Sequence, residues 1–367
     1  MKIILLGLVL MFCSIGLFAQ DMTLYSPTNY QVFQRQTKSV GYILVSGKTS
    51  SDKINCKIIG KNYQDKEIII EKTIKPDKYG AFKADIETPA GGWYRLQLRY
   101  GNDGFKEIDC VGVGEVIISA GQSNASNASS EVSKQESGMV SSTDGVIWKY
   151  GDDPQIGIQD GSIGGSFYPA LGDALYKEFH VPIGFAPTPW GGSEAERWQP
   201  GAGLELTRHK LALNAEGKWM PVQDKLNGQT DMYSYFMKRV YQFGNKGFRC
   251  VIWHQGESNV GNETDFFYNL TVNIIESSRK DAGWYIPWFV AKVSYHGPHM
   301  RGDEKVRAAF QRIWDNKIAF EGPDTDTLQE EYRDFEGKGI HLSLKGIKKH
   351  GEMWAEFLIP YIHSEID

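Results

Sequence analysis

The sequence lacks the features that mark several large classes of protein. Its 367 residues include only four cysteines, and their spacing matches neither a metal site nor a dense disulfide framework. It has no long basic run, and 40 lysines and arginines against 45 aspartates and glutamates give a net charge of −5. A mildly acidic chain has no positive field to gather phosphates, so we expect no nucleic-acid partner.

Long apolar runs are equally scarce, and the single one lies at the start of the chain. Residues 1–20 carry one lysine before an apolar stretch that ends near Ala19, ahead of polar Gln20 and Asp21. This pattern predicts a secretory signal peptide over residues 1–20, with a membrane anchor or a lipoprotein signal as alternatives. We therefore expect a secreted or periplasmic protein that has no membrane segment after cleavage.

Cleavage would leave an odd number of cysteines. Cys56, Cys110 and Cys250 could form at most one internal disulfide. Cys250 stands in an apolar run, which predicts a buried, small hydrophobic side chain. The acidic pair Asp324 and Asp326 lacks histidine partners and is typical of a turn, so the sequence indicates no metal and no cofactor.

The sequence contains two regions with different patterns of apolar and polar residues. Residues 21–113 alternate apolar and polar side chains in short segments between turn residues, which predicts an antiparallel β-sandwich. Residues 114–367 alternate strand-like apolar runs with helical patterns, which predicts an α/β domain with a mainly parallel sheet. Sheets of this kind place their functional sites at the carboxyl ends of strands. The predicted helices cover residues 168–179, 231–243, 264–278, 304–320 and 344–358.

Four polar segments follow apolar runs of the second region. The first is Gly121-Gln122-Ser123-Asn124, a turn that can expose a serine hydroxyl beside backbone N–H groups. The second is Pro189-Trp190-Gly191-Gly192-Ser193, whose adjacent glycines let the backbone approach a ligand. The third is Trp253-His254-Gln255-Gly256-Glu257, which packs polar side chains directly after a buried strand, and the fourth contains His341. Taken alone, the first two segments are more typical of ordinary turns. The concentration of polar residues in the third segment suggests a site, although His254 by itself is as typical of a structural histidine as of a chemical one.

Together and in this order, the four segments resemble the SGNH-type hydrolases, most closely the sialate O-acetylesterase-like branch of carbohydrate esterases. The likeness runs from about residue 114 to residue 358, with Glu196 and Trp198 as further matches in the second segment. It implies a three-layer α/β/α esterase domain over residues 114–367, and members of this branch commonly carry a β-sandwich before that domain. It also implies a serine esterase that removes O-acetyl groups from sialic acid or plant-type glycans through an acetyl-enzyme intermediate.

The resemblance assigns roles to the matching residues. Ser123 would be the nucleophile, and His341 would take its proton and later pass it to the leaving sugar hydroxyl. Backbone N–H groups of Ser123 and of Gly192 (or Gly191) would hold the oxyanion. The side chain of Gln255 would donate to the same oxygen.

One position departs from the family's pattern. The family usually has an aspartate three residues before its histidine, where this chain has Lys338, which cannot accept an imidazole N–H. Asp334 is the first candidate for the missing acid, if Phe335 to Lys338 form an insertion. Glu257, which the resemblance otherwise implies to orient its neighbours, is the second candidate. A Ser-His pair that uses a backbone carbonyl is the third.

The substrate class stays open between acetylated sialic acid and acetylated plant-type glycans. Arg197 and Arg307 could meet a sugar carboxylate, although a surface salt bridge is the simpler interpretation of each. A glycan-binding protein that has lost catalysis through Lys338 is the alternative function. The N-terminal sandwich could bind polysaccharide, although an interdomain brace is favoured. Four tryptophans could stack on sugar faces or belong to the core: Trp190, Trp198, Trp253 and Trp288.

Overall fold

The computed structural model describes residues 21–202, 209–223 and 231–366, so the predicted signal peptide lies outside the described residues. The strands are β1 (Met22–Ser26), β2 (Gln31–Gln34), β3 (Val40–Thr49), β4 (Ile54–Lys61), β5 (Glu67–Ile74), β6 (Ala81–Pro89), β7 (Gly91–Tyr100), β8 (Gly104–Gly121), β9 (Val140–Thr143), β10 (Trp148–Tyr150), β11 (Ile183–Pro187), β12 (His209–Leu213), β13 (Trp219–Gln223), β14 (Cys250–His254), β15 (Trp288–Lys292) and β16 (Phe320–Asp324). The helices are α1 (Tyr168–Phe179), α2 (Met232–Phe243), α3 (Thr264–Ala282), α4 (Glu304–Asp315), the single irregular turn α5 (Asp334–Gly337) and α6 (Leu344–Ile366).

The five predicted helices are all present, but three of them end at a different residue than predicted: α3 and α6 run on to Ala282 and Ile366, and α4 stops short. The helix predicted over 304–320 begins as expected, where Asp303 accepts the N–H groups of the first turn. It ends at Asp315 instead of Phe320, because Lys317 adopts a left-handed φ of 55° and the chain then enters β16. Helical periodicity located this helix, but the start of the next strand decided where it stops.

The N-terminal strands form two groups that pair almost entirely antiparallel. β3 lies between β1 and β6, while β4 lies between β5 and β7, and β7 continues the second group to β8. β2 is the exception, since it runs parallel to β8. Alternate side chains are buried along the strands, as the period of two predicts. A separate β-sandwich domain remains our prediction for this region.

One long strand connects the two regions of the chain. The first part of β8 pairs with β7, and its last part pairs with β11 and β14. The predicted boundary between residues 113 and 114 therefore falls inside a continuous strand instead of a linker. Directly after it, the fully buried carboxylate of Glu115 forms ion pairs with Arg35 at 2.6 Å and with Arg249 at 2.8 Å. This buried cluster ties the N-terminal strands to the rest of the protein.

The second region is built on parallel strands. They lie in the order β9-β11-β8-β14-β15-β16, with parallel pairing throughout, and β10 adds an antiparallel edge. Helix α1 packs on α6, and α3 packs on α4 and α2. The structure confirms the α/β class, while the sheet as a whole is mixed because the N-terminal strands join it through β8. The SGNH-type label for this region remains a prediction.

None of the helices in the described ranges is long and apolar enough to cross a membrane.

Candidate active site

Ser123 stands at the carboxyl end of β8, where the chain turns sharply. Gly121 ends the strand with a φ of 132°, and a side-chain carbon there would lie 2.0 Å from the carbonyl oxygen of His254. Only glycine fits such an approach. The N–H of Gln122 donates to the same carbonyl at 2.9 Å. Ser123 then opens the short 3-10 turn Ser123–Ala125 and keeps 8% of its surface exposed.

The loop after β11 passes beside Ser123. A side-chain carbon built on Gly191 would lie 3.6 Å from Cβ of Ser123. The N–H of Gly191 is already engaged, because it donates to Oδ2 of Asp160 at 2.6 Å. Gly192 has a φ of 68° and open space where a side chain would stand. Of the two glycines that the resemblance left open, Gly192 is the better candidate donor to an oxyanion.

The side-chain amide of Gln255 is hydrogen-bonded within the protein. Its side chain is fully buried, and Nε2 donates to Oε1 of Gln122 at 2.8 Å and to the carbonyl of Ser193 at 2.6 Å. An amide nitrogen has two protons, so both are engaged by the protein. Gln255 therefore connects the serine segment to the glycine loop, and its role as an oxyanion donor stays a prediction.

A buried acid–histidine pair anchors the third segment. Nε2 of His254 and Oε1 of Glu257 are 2.9 Å apart, and both side chains are almost fully buried. Burial alone would raise the pKa of Glu257, but His254 and the amide of Asn124 hold that pKa below its usual range. The ring of His350 packs on His254, and burial, His254 and Arg333 hold the pKa of His350 well below its ordinary value. Glu257 therefore orients Asn124, in keeping with the supporting role that the resemblance implies.

Asn124 joins the serine segment to the histidine segment. Its Oδ1 accepts the N–H of Leu342 at 3.1 Å, and its Nδ2 approaches the carbonyl oxygen of Ile340 at 3.4 Å. Nη1 of Arg333 donates to the same carbonyl at 2.7 Å. Because Ile340 and Leu342 flank His341, these contacts hold the backbone on both sides of that histidine. Sequence reasoning did not assign this role to Asn124.

The predicted insertion between acid and histidine is a left-handed turn. Phe335, Glu336 and Gly337 have φ values of 48°, 58° and 83°. The turn loops these residues outward and brings its two ends together, since the N–H of Asp334 donates to the carbonyl of His341 at 3.0 Å. Asp334 and His341, which are seven positions apart in the sequence, are thus in direct backbone contact.

Asp334, rather than Lys338, faces the histidine. Oδ2 of Asp334 lies 4.0 Å from Nδ1 of His341, whereas the side chain of Lys338 is exposed. Gly339 makes room for the carboxylate, since a side-chain carbon there would lie 1.4 Å from Oδ1 of Asp334. Burial raises the pKa of Asp334, and the neighbouring His341 and Arg333 partly offset that effect. A separation of 4.0 Å exceeds a hydrogen bond, so a small approach must precede direct contact.

A cavity of about 810 Å³ brings several candidate groups together. Its wall includes Ser123, Gly191, Gly192, Glu257 and His341. The remaining wall comes largely from residues 126–132 and 160–164, which sequence reasoning missed because they follow neither strand nor helix periodicity. Within the described ranges, no group of three or more His, Cys, Asp or Glu side chains is placed to hold a metal ion.

The tryptophans considered as sugar platforms belong mostly to the core. Trp198, Trp253 and Trp288 are almost fully buried, and Trp253 contacts both of the others ring to ring. Trp190 is half-buried and packs against the same core. Cys250 is also buried, as predicted, and the three described cysteines are free.

Comparison with known proteins agrees with this architecture. Residues 113–360, more than half of the chain, match the family described as carbohydrate esterase, sialic acid-specific acetylesterase. The sialate O-acetylesterases of Homo sapiens and Pongo abelii are each 29% identical over 101 residues, which is 28% of this chain and 18% of theirs, so the match spans less than a fifth of their length. A carbohydrate acetylesterase from Xanthomonas citri shares the fold at 17% identity and a TM-score of 0.56, over 91% of this chain and 74% of that protein. The extent of the family match establishes that the chain belongs to the sialic acid-specific acetylesterase family of carbohydrate esterases.

Proposed function

We propose that the chain is a secreted serine esterase that removes O-acetyl groups from carbohydrates. Family membership supports the reaction type. The observation that carries the serine mechanism is the shared cavity, whose wall contains Ser123, Gly192 and His341, with Asp334 behind the histidine. Secretion rests on residues 1–20 alone, and N-terminal sequencing of the exported protein would test it.

In the first half of the reaction, Oγ of Ser123 bonds to the acetyl carbonyl carbon while His341 removes the hydroxyl proton. Negative charge develops on the carbonyl oxygen, where the N–H groups of Ser123 and Gly192 stabilise it. Each such donor typically lowers the barrier by about 3 kcal/mol. The intermediate then collapses, the bond to the sugar oxygen breaks, and His341 gives its proton to that oxygen. The sugar leaves with a free hydroxyl, and the acetyl group stays on Ser123.

Water completes the cycle. His341 removes a proton from a water molecule as the water oxygen attacks the acetyl carbon. The same N–H groups stabilise the second oxyanion. The bond to Ser123 breaks, acetate departs, and the proton held by His341 returns to the serine oxygen. We assign Asp334 to orient and stabilise the protonated His341.

Acetate release from acetylated sugars and from 4-nitrophenyl acetate tests this proposal. Ser123→Ala should lose about 10³-fold or more in kcat, since the nucleophile is gone. Ser364→Ala is the matched control, because Ser364 is exposed near the end of α6. Rapid quenching followed by peptide mass spectrometry should find an acetyl group on Ser123. Hydrolysis that survives Ser123→Ala rejects the mechanism.

A non-catalytic glycan-binding protein is the second candidate, and one observation favours it. The 4.0 Å separation between Asp334 and His341 is too long for a hydrogen bond. Catalytic contacts are often long in the free enzyme and shorten with substrate, so we rank the esterase first. Glycan binding by the intact protein without any acetate release would favour the alternative.

A further inference from the structure

A fixed carboxylate stands in the wall of the candidate cavity. Asp160 lines the cavity together with Ser123 and Gly191. Its Oδ2 accepts the N–H of Gly191 at 2.6 Å, and its Oδ1 accepts the N–H of Ser162 at 2.8 Å. Each oxygen is therefore held by one backbone donor, and the side chain has a defined orientation beside the candidate oxyanion loop.

This carboxylate keeps hydrogen-bonding capacity for a ligand. A carboxylate offers about four acceptor positions, and the two backbone donors to Asp160 use two of them. Sugar hydroxyls are donors that match the remaining positions. The wall around Asp160 adds hydroxyl groups of its own, which can exchange hydrogen bonds with an uncharged sugar: Ser126, Ser129, Ser130, Ser162 and Ser258.

The arginines considered as partners of a sugar carboxylate are engaged elsewhere. Arg197 pairs with Glu194 at 2.9 Å, and Arg307 pairs with Asp326 at 2.7 Å. Among the described residues that line the cavity there is no lysine or arginine. The charge that Asp160 presents to a ligand is negative, and like charges brought together in a partly desolvated cleft repel strongly.

We propose that Asp160 is a specificity-determining residue that selects neutral O-acetylated sugars. It accepts hydrogen bonds from the sugar hydroxyls and disfavours sugars that carry a carboxylate. The inference rests on the proposed esterase function and goes beyond it, because it names uncharged glycans as the preferred substrate of a chain whose family is described as sialic acid-specific.

Two substrates that differ by a single charge test the selection. An O-acetylated sialoside and its carboxyl methyl ester carry the same acetyl group on the same sugar. We expect kcat/KM for the methyl ester to exceed that for the free acid by at least about fivefold at low ionic strength, with the difference shrinking as salt screens the charge. Both substrates are measured at the same pH. Equal values, or preference for the free acid, overturn the proposal.

The variant Asp160→Asn tests whether Asp160 causes the preference for the methyl ester. It keeps the shape of the side chain and removes its charge, so the ratio of methyl ester to free acid should fall towards one. It should also raise KM for a neutral acetylated sugar more than for 4-nitrophenyl acetate, which has no sugar hydroxyls. Because Asp160 also holds Gly191, 4-nitrophenyl acetate measures any disturbance of that loop separately. An unchanged ratio in Asp160→Asn overturns the assignment.

Failure of the esterase proposal would look different. In that case the wild-type protein releases acetate from none of the four substrates, including 4-nitrophenyl acetate. Hydrolysis of 4-nitrophenyl acetate with a preference for the charged sialoside would keep the esterase and reject selection by Asp160. Val132 lines the cavity and is exposed, so Val132→Lys should shift the ratio towards the free acid by adding a positive charge.

Discussion

Replacing Asp334 with asparagine should slow the reaction without unfolding the protein. The substitution keeps the size of the side chain and removes the charge that faces His341 at 4.0 Å. At that distance and an effective dielectric constant of about 20, a carboxylate stabilises an imidazolium by about 4 kcal/mol. Because 38% of the His341 side chain is exposed, solvent screening reduces this to about 2–3 kcal/mol. The corresponding loss is about 30- to 200-fold in kcat.

The assay is steady-state acetate release from an acetylated sugar by Asp334→Asn. Asp103→Asn, in the exposed turn between β7 and β8, is the charge-matched control. Urea unfolding of each variant separates lost activity from lost structure. Turnover of Asp334→Asn within about twofold of wild type would refute the assignment, because such a difference is below 0.5 kcal/mol. If Glu257→Gln were then inactive and folded, Glu257 would be the acid; if it too were active, the Ser-His pair would use a backbone carbonyl.

Three further changes follow from the same geometry. Asn124→Ala should lower kcat about 10- to 100-fold with little change in KM, because it releases the backbone around His341; unchanged kcat would contradict the role. Gly339→Ala should slow turnover as much as Asp334→Asn, because the new carbon would lie 1.4 Å from Oδ1 of Asp334 and displace it; wild-type rates would show that the carboxylate position is unimportant. Glu115→Gln should lower the free energy of unfolding by about 3–5 kcal/mol, since the buried Arg35 and the partly buried Arg249 lose their charged partner. Burial alone would raise the pKa of Glu115, but those arginines hold it below its usual range, so wild type should lose stability as the pH falls below about 4.3 and through that lowered pKa. Urea unfolding between about pH 3 and pH 7 should show that this decrease in stability at low pH is absent from Glu115→Gln. The same decrease in both proteins would contradict the ion-pair account.

Much of the fold was predicted from the spacing of apolar residues and from the polar segments that follow apolar runs. Alternation with a period of two located the N-terminal strands, and apolar runs followed by polar segments located β8, β11, β14 and β15. These patterns can be read from the sequence because the buried face of a strand or helix requires apolar residues at regular spacing. The continuity of β8 across the expected domain boundary left no such trace, because strand pairing joins residues that are distant in the chain.

The sequence alone determined the division into two regions with different residue patterns and the order of the four polar segments. The distances between their side chains depended on tertiary structure. The left-handed turn at Phe335 and Glu336 brings Asp334 to His341, although Lys338 occupies the usual position in the sequence. The side-chain amide of Gln255 donates to Gln122 and Ser193, because a buried polar side chain must satisfy its donors within the protein. The N–H groups of Ser162 and Gly191 hold the carboxylate of Asp160 at the cavity wall. No sequence motif predicts this position, since the surrounding elements determine where a loop side chain lies.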